Sequence, residues 1–150
     1  MKFVVGSDER TPLTDWVVQE LEALGAQVEL HGALKSGDDN RWPEVARQVA
    51  EDVASGRCQQ GVLFCWTGTG VSMAANKVPG VRAALCTDAE TARGARRWND
   101  ANVLCMSLRL TSPQVAREIL DVWTSTTAID EAERENIDRV NRMDRQRGGV

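Results

Sequence analysis

Short apolar runs alternate with segments of helical periodicity along the chain. The run Phe3 to Val5 is followed by apolar positions from Leu13 to Leu24, spaced to lie on one face of a helix that Gly25 ends. The alternation then recurs, with apolar runs at 27–30, 62–64, 81–85 and 103–106 and helical segments at 45–53, 71–76, 89–96 and 113–123. Strands that alternate with helices form βαβ units and a parallel sheet covered on both faces. The pattern therefore predicts a three-layer α/β fold.

A last, very polar segment covers residues 130–145. Its apolar residues Ile137, Val140 and Met143 form only a thin stripe on the predicted helix. Such a helix packs weakly by itself, so it either docks against a second subunit or stays as a solvated tail helix.

Length and composition favour a single domain, 1–150. A chain of 150 residues can bury a genuine core, and its longest apolar runs fall far short of a membrane span. The N-terminus enters a strand pattern without a signal-peptide core, which predicts a cytoplasmic protein. A net charge of −4 gives no general attraction for nucleic acid or an anionic membrane. We therefore expect a small-molecule partner.

The cysteines and the single histidine do not have metal-site spacing. Cys58, Cys65, Cys86 and Cys105 are far apart without a CxxC pair, which predicts no metal, no cofactor and no disulfide. Cys86 and Cys105 lie in apolar runs and are predicted to be small buried side chains. His31 precedes a glycine, and we expect an exposed turn residue without a role.

In open parallel sheets, ligands bind beyond the carboxyl ends of the strands. The candidate residues there are Asp8 to Arg10, Cys65 to Gly70, Asp88, and Ser107 to Arg109. Gly68 and Gly70 allow a tight turn whose N–H groups form an anion site at the start of a helix. Because such a terminus favours the thiolate, Cys65 is a candidate proton-abstracting base.

Three stretches identify a resemblance. The run Cys65 to Lys77 (CWTGTGVSMAANK), together with Val81 to Ala84 and Asn99 to Leu104, closely resembles the family of ribose-5-phosphate isomerase B and the galactose-6-phosphate isomerase subunits. The resemblance extends from Gly6 to the last helix. It implies a metal-free, Rossmann-like homodimer or homotetramer that interconverts aldose and ketose phosphates. It also implies active sites shared between subunits, with the C-terminal helix docking on a partner subunit.

The resemblance implies a role for each matching residue. Cys65 is the base, and Thr67, in the same catalytic turn, contacts a sugar hydroxyl, as does Asp8. Asn99 reaches the site from the neighbouring subunit, while Arg109 and Arg139 bind the phosphate. The N–H groups of the turn form the oxyanion site, which comprises Gly68, Thr69, Gly70, Val71 and Ser72.

This chain departs from the family pattern at both active-site histidines. Asp8-Glu9 replaces Asp-His, and Trp98-Asn99 replaces His-Asn. One family histidine helps to open the sugar ring, so with its loss either the enzyme waits for spontaneous ring opening or its substrate never closes into a stable ring. A tetrose 4-phosphate is such a substrate, because its terminal oxygen carries the phosphate. Trp98 would then shorten the substrate pocket, although a packing or interface role explains it equally well.

Two other classes of function stay open. A non-catalytic sugar-phosphate sensor could keep the fold and the anion site without the chemistry. A nucleotide-binding domain is less favoured, because the first strand lacks a GxGxxG turn and the glycines lack a P-loop lysine.

Overall fold

Five parallel strands alternate with six helices in this computed structural model, which describes residues 1–147. The strands are β1 (Lys2–Ser7), β2 (Gln27–Gly32), β3 (Gln60–Cys65), β4 (Ala83–Leu85) and β5 (Val103–Ser107). The helices are α1 (Pro12–Ala23), α2 (Trp42–Ala54), α3 (Thr69–Ala75), α4 (Ala89–Asn99), α5 (Pro113–Ser125) and α6 (Arg134–Arg147). The strand order is β2-β1-β3-β5-β4, so the predicted α/β fold with a parallel sheet is confirmed.

Helices cover both faces of the sheet, as the alternation predicts. On one face, α1, α4 and α5 pack against apolar side chains of β1, β3 and β5. On the other face, α2 and α3 pack against the alternate side chains of the same strands. Trp123 of α5 is fully buried, and its indole N–H donates to Gln60 Oε1 at 2.8 Å. This bond satisfies a polar group that burial would otherwise leave unpaired.

Side chains fix the starts of three helices. Thr11, Asp88 and Ser112 each accept a backbone N–H from the first turn of α1, α4 and α5, respectively. These caps satisfy helix donors that have no intrahelical partner. Asp88 was a candidate ligand-binding residue by its position after a strand, and the structure assigns it this capping role.

Two predicted boundaries shift in the structure. β4 begins at Ala83 rather than Val81, because the Arg82 N–H donates to Asn102 Oδ1 at 2.8 Å and not to a strand neighbour. The last helix begins with a 3-10 turn, Glu131–Glu133, which the Asp130 side chain caps. Tighter turns of this kind are common at helix ends.

The expectation that His31 is an exposed turn residue is wrong. His31 belongs to β2 and its side chain is only 12% exposed. Its Nε2 lies 2.8 Å from Asp52 Oδ2, and its Nδ1 lies 3.3 Å from Asp38 Oδ2. Two carboxylates brought together by the fold thus supply the partners that make burial of the imidazole favourable.

No helix within residues 1–147 is both long enough and apolar enough to span a bilayer.

Candidate active site

The chain reverses direction across the sheet between β1 and β3. From β1 it passes over one face through α1 to β2, and it returns over the other face through α2 to β3. A crevice opens at the carboxyl ends of strands at such a switch point. Ser7 is the register partner of Phe64, so Asp8 and Cys65 follow paired residues on strands about 5 Å apart. The predicted base and the predicted carboxylate contact therefore lie at the same switch point.

Cys65 is the most accessible of the four cysteines. Its side chain keeps 5% exposure at the end of β3, whereas the other three thiols are fully buried. Burial raises the pKa of the Cys86 thiol to about 12 and also raises the pKa of Cys105. Cys86 and Cys105 are thus neutral core residues, as predicted, and Cys65 is the thiol available for chemistry.

Gly68 fixes the shape of the turn after Cys65. Its φ of +76° is a left-handed conformation that favours glycine, and a Cβ there would lie 2.6 Å from Leu85 Cδ1. The turn leads directly into α3, whose first N–H groups have no acceptor within the helix. Thr67 and Thr69 are exposed on the turn, and their hydroxyl oxygens lie 2.7 Å apart. The turn therefore offers both backbone donors and hydroxyls to a ligand.

Val71 can contribute to the predicted oxyanion site only through its backbone, and the Ser72 N–H already donates to the Gly68 carbonyl at 3.3 Å. The Val71 side chain is fully buried in the core, and Ser72 is half-buried one turn into α3. Of these two residues, only Val71 thus has a backbone N–H available to a ligand, and the oxyanion role that the resemblance implies stays a prediction.

The loop after β5 is held against the same turn. Leu108 and Arg109 donate backbone N–H groups to the carbonyl oxygens of Cys65 and Trp66, at 3.0 and 3.1 Å. Ser107 adds a hydroxyl bond to the Trp66 carbonyl at 2.9 Å. The exposed Arg109 side chain is therefore anchored at its backbone beside the predicted base.

Asp8 provides a carboxylate with unused hydrogen-bonding capacity. Within the part of the chain that the structure describes, its buried Oδ1 has no hydrogen-bond partner. Burial raises the pKa of this carboxyl group above its ordinary value. The backbone at Glu9 is held by the Ser7 hydroxyl, which accepts the Glu9 N–H at 3.2 Å, while the Glu9 side chain is exposed. An unpaired oxygen at this position is suited to accept a hydrogen bond from a hydroxyl group of a bound sugar.

A cavity of about 690 Å³ opens beside Asp8, and the start of α2 forms its other wall. Sequence reasoning missed this wall, which includes Trp42, whose ring lies against Gly70 of the turn. The available signal was an aromatic residue directly before Pro43, at the start of the helix that follows the carboxyl end of β2.

The remaining predicted residues lie at the opposite end of the strands, near their amino ends. Asn99 ends α4 just before β5 begins, whereas Cys65 is the register partner of Ser107, the last residue of β5. The length of that strand separates them by about 13 Å within one chain. Trp98 folds back onto Gly94 of its own helix and is 46% exposed. Arg139 is exposed on α6 and pairs with Glu135 at 2.7 Å.

The C-terminal helix contacts its own chain at this end of the strands. Asp144 accepts the Gly80 N–H at 2.8 Å, and Arg82 donates to Asn141 at 3.1 Å. Ile137 is buried, but Val140 and Met143 are 49% and 57% exposed. A groove of about 420 Å³ lies under α6 and is lined by both Trp98 and Asn99. Docking of α6 on a partner subunit stays a prediction.

The architecture is an α/β fold with Asp8 and Cys65, the predicted reactive groups, at the β1/β3 switch point. A family model described as Ribose/Galactose Isomerase matches residues 3–143, and the chain belongs to this family of sugar-phosphate isomerases. The resemblance inferred from Cys65 to Lys77 is thereby confirmed, and catalysis is favoured over the sensor and nucleotide-binding alternatives.

Relatives of known name span both pentose and tetrose chemistry. The chain is 33% identical to D-erythrulose-4-phosphate isomerase of Pectobacterium atrosepticum, over 82% of each chain. It is 38% identical to ribose-5-phosphate isomerase B of Escherichia coli, over 71% of each chain. Among solved structures, ribose-5-phosphate isomerase B of Clostridium thermocellum superposes with a TM-score of 0.89 at 33% identity, covering 97% of this chain and 99% of that one. The Rossmann-like fold of the family is thus confirmed.

Proposed function

We propose that this protein interconverts an aldose phosphate and a ketose phosphate through a cis-enediolate, with Cys65 as the base. The observation that supports this most is the location of Cys65, between the glycine turn and the Asp8 carboxylate at the β1/β3 switch point. In the proposed reaction, the thiolate takes the proton from the hydroxyl-bearing carbon beside the carbonyl and returns it to the former carbonyl carbon, while the hydroxyl proton moves from one oxygen of the enediolate to the other.

The turn supplies the charge stabilisation that this reaction needs. Negative charge develops on the carbonyl oxygen as the proton leaves, and preorganised N–H donors lower the energy of that state. The backbone N–H groups from Gly68 to Val71 offer such donors directly beside Cys65, whereas the Ser72 N–H already donates to the Gly68 carbonyl at 3.3 Å. On the other side of the crevice, the unpaired Asp8 oxygen accepts a hydrogen bond from a substrate hydroxyl. Thr67 contributes a second hydroxyl contact.

We further propose a tetrose phosphate as the preferred substrate. A tetrose 4-phosphate reaches the site as an open-chain carbonyl compound, so it does not need the ring-opening histidine that Trp98 replaces. The similarity to a D-erythrulose-4-phosphate isomerase supports this choice. The exposed Glu9 side chain and the exposed Trp98 side chain of a second copy then contact the substrate where the family histidines would stand.

A complete site requires a second copy of the chain. Trp98, Asn99 and Arg139 lie too far from Cys65 of the same chain to share one small substrate with it. The exposed apolar residues Val140 and Met143 beside the groove under α6 support a homodimer or homotetramer. In that assembly, Arg109 and the partner copy's equivalent of Arg139 bind the phosphate by paired charge-assisted hydrogen bonds.

A substrate panel tests the proposed preference. The kcat/KM of the purified protein would be measured with erythrulose 4-phosphate, ribulose 5-phosphate and a hexose 6-phosphate. We expect the tetrose phosphate to give the highest value. A ribulose 5-phosphate value at least as high would reject the tetrose preference, and no turnover of any of them would reject the isomerase assignment.

Mixed subunits test the shared site. Cys65→Ala and Asn99→Ala are each expected to be inactive, but a heterodimer of the two contains one site with both residues intact. Random mixing after reversible dissociation should therefore restore about a quarter of the wild-type sites. Mixtures that stay as inactive as the separate variants would contradict a shared site.

A further inference from the structure

We infer that Trp42 is a positioning residue that holds the glycine turn in its catalytic geometry, an inference that rests on the proposed function of the turn. Trp42 is the first residue of α2 and is 43% exposed at the carboxyl edge of the sheet. Three of its ring carbons lie 3.0–3.2 Å from the point where a Gly70 Cβ would stand. The indole thus lies directly against the backbone of the turn, with no room for a side chain between them.

The turn needs support from outside, because α3 is only seven residues long. Helices of that length are not stable by themselves, so tertiary packing sets the direction of their N–H groups. On one side, Gly68 lies close to Leu85 and to the Met106 backbone. On the other side, the Trp42 ring covers Gly70. The turn is therefore enclosed between the β4/β5 edge and α2.

Trp42 also connects the two halves of the site. Its side chain lines the cavity beside Asp8, while its ring contacts the turn that follows Cys65. A shift of the ring would change the distance between the hydroxyl-binding carboxylate and the N–H donors. Oxyanion donors act through fixed orientation, and losing one donor lowers kcat by about 10²-fold to 10³-fold in known enzymes. Loosening the turn should have a smaller effect of the same kind.

Trp42→Leu is the first test, with Trp16→Leu as its matched control. Trp16 is a partly exposed tryptophan on α1, where Arg117 lies over its ring at 4.9 Å. We expect Trp42→Leu to lower kcat about tenfold or more and to change KM less than threefold. Trp16→Leu should leave both constants unchanged. Wild-type kcat in Trp42→Leu, or a loss that appears only in KM, would overturn the inference.

A size exchange separates positioning from general destabilisation. Gly70→Ala puts a methyl group 3.0–3.2 Å from the ring carbons, closer than an ordinary van der Waals contact, so it should also lower kcat. Combining Gly70→Ala with Trp42→Leu makes room for that methyl group and should recover at least threefold of kcat over Gly70→Ala alone. Strictly multiplicative losses would show that the two residues act independently, and would overturn the inference.

Amide hydrogen exchange tests the inference without any substrate. Trp42→Leu should increase exchange in residues 72–75 of α3 while the amides of β3 stay protected. Unchanged exchange in α3 would contradict the inference even if wild-type protein proved inactive on every sugar phosphate. Conversely, an active wild type with an unaffected Trp42→Leu variant would reject this inference and leave the proposed function intact.

Discussion

Replacing Asp8 by Asn should stabilise the protein while weakening catalysis. The Asp8 carboxylate has a buried oxygen without a hydrogen-bond partner among the described residues, and burial raises its pKa. Asparagine has nearly the same shape but no charge, so it removes the most unfavourable part of this burial. Functional groups held ready for a substrate often destabilise the free protein in this way.

The size of the effect follows from the burial of the group. An unsatisfied buried polar group typically costs about 1–3 kcal/mol, and more when it is charged. Because Asp8 is only half-buried, the lower end of that range applies, about 1 kcal/mol. For a chain of this length, that free energy raises Tm by roughly 2–4 °C. Loss of the charge-assisted hydroxyl bond should lower kcat/KM about fivefold to tenfold.

The pH dependence of the stability difference provides a second readout. Because the folded-state pKa of Asp8 is raised, its ionised form destabilises the fold at pH values above that pKa. The penalty decreases as the pH falls through the folded pKa, and it vanishes below the unfolded value near 3.9. Wild type and Asp8→Asn should therefore differ most at neutral pH and converge in acid.

The assay is denaturant unfolding at several pH values and one fixed protein concentration, since an oligomer's stability depends on concentration. Kinetics of the same preparations give the loss of kcat/KM. An Asp8→Asn variant that is less stable than wild type at neutral pH, or a difference that does not change with pH, would refute this reasoning about the unpaired carboxylate.

Three further substitutions have defined outcomes. Trp98→His should shift the kcat/KM ratio toward the pentose phosphate by roughly tenfold, and an unchanged ratio would make Trp98 an interface residue. Gly68→Ala should lower the free energy of unfolding by more than the ~1–2 kcal/mol that a side chain costs in the left-handed conformation. Gly25→Ala, with φ +87° and open space around it, should lower it only by that amount. Equal losses would argue against the close contact at Leu85. Trp123→Phe should cost about 1–3 kcal/mol in urea unfolding, because Gln60 loses its indole donor, and a neutral result would contradict that bond's role.

Periodicity was sufficient to predict the sheet and its helices, because each strand is an apolar run and each helix buries one regular face. It could not predict where β4 begins, since that boundary depends on a bond between Arg82 and the distant Asn102 side chain. His31 was misinterpreted for the same reason. Its partners Asp38 and Asp52 lie 7 and 21 positions along the chain, and only the fold brings them together.

The candidate site was predictable where it lies on contiguous sequence. The turn from Cys65 to Gly70 carries both the thiol and hydroxyl groups and the glycines that its backbone conformation needs, so the motif was sufficient to locate the turn. Trp42 was missed because its contact with Gly70 spans 28 positions, and an aromatic residue before Pro43 does not by itself indicate that contact. The separation of Cys65 and Asn99 also became visible only in the structure, and it is the observation on which the proposal of a site shared between two subunits rests.

Solvent proton exchange at the substrate tests the central claim, that Cys65 is the catalytic base. Wild-type protein and Cys65→Ala would be incubated with erythrulose 4-phosphate in deuterium oxide, and deuterium at the carbon beside the carbonyl would be followed by NMR. Circular dichroism of both proteins provides the control for folding. We expect rapid incorporation with wild type and a rate about 10²-fold to 10⁴-fold lower with Cys65→Ala, as is typical for loss of a general base. Exchange by folded Cys65→Ala within threefold of the wild-type rate would contradict the assignment.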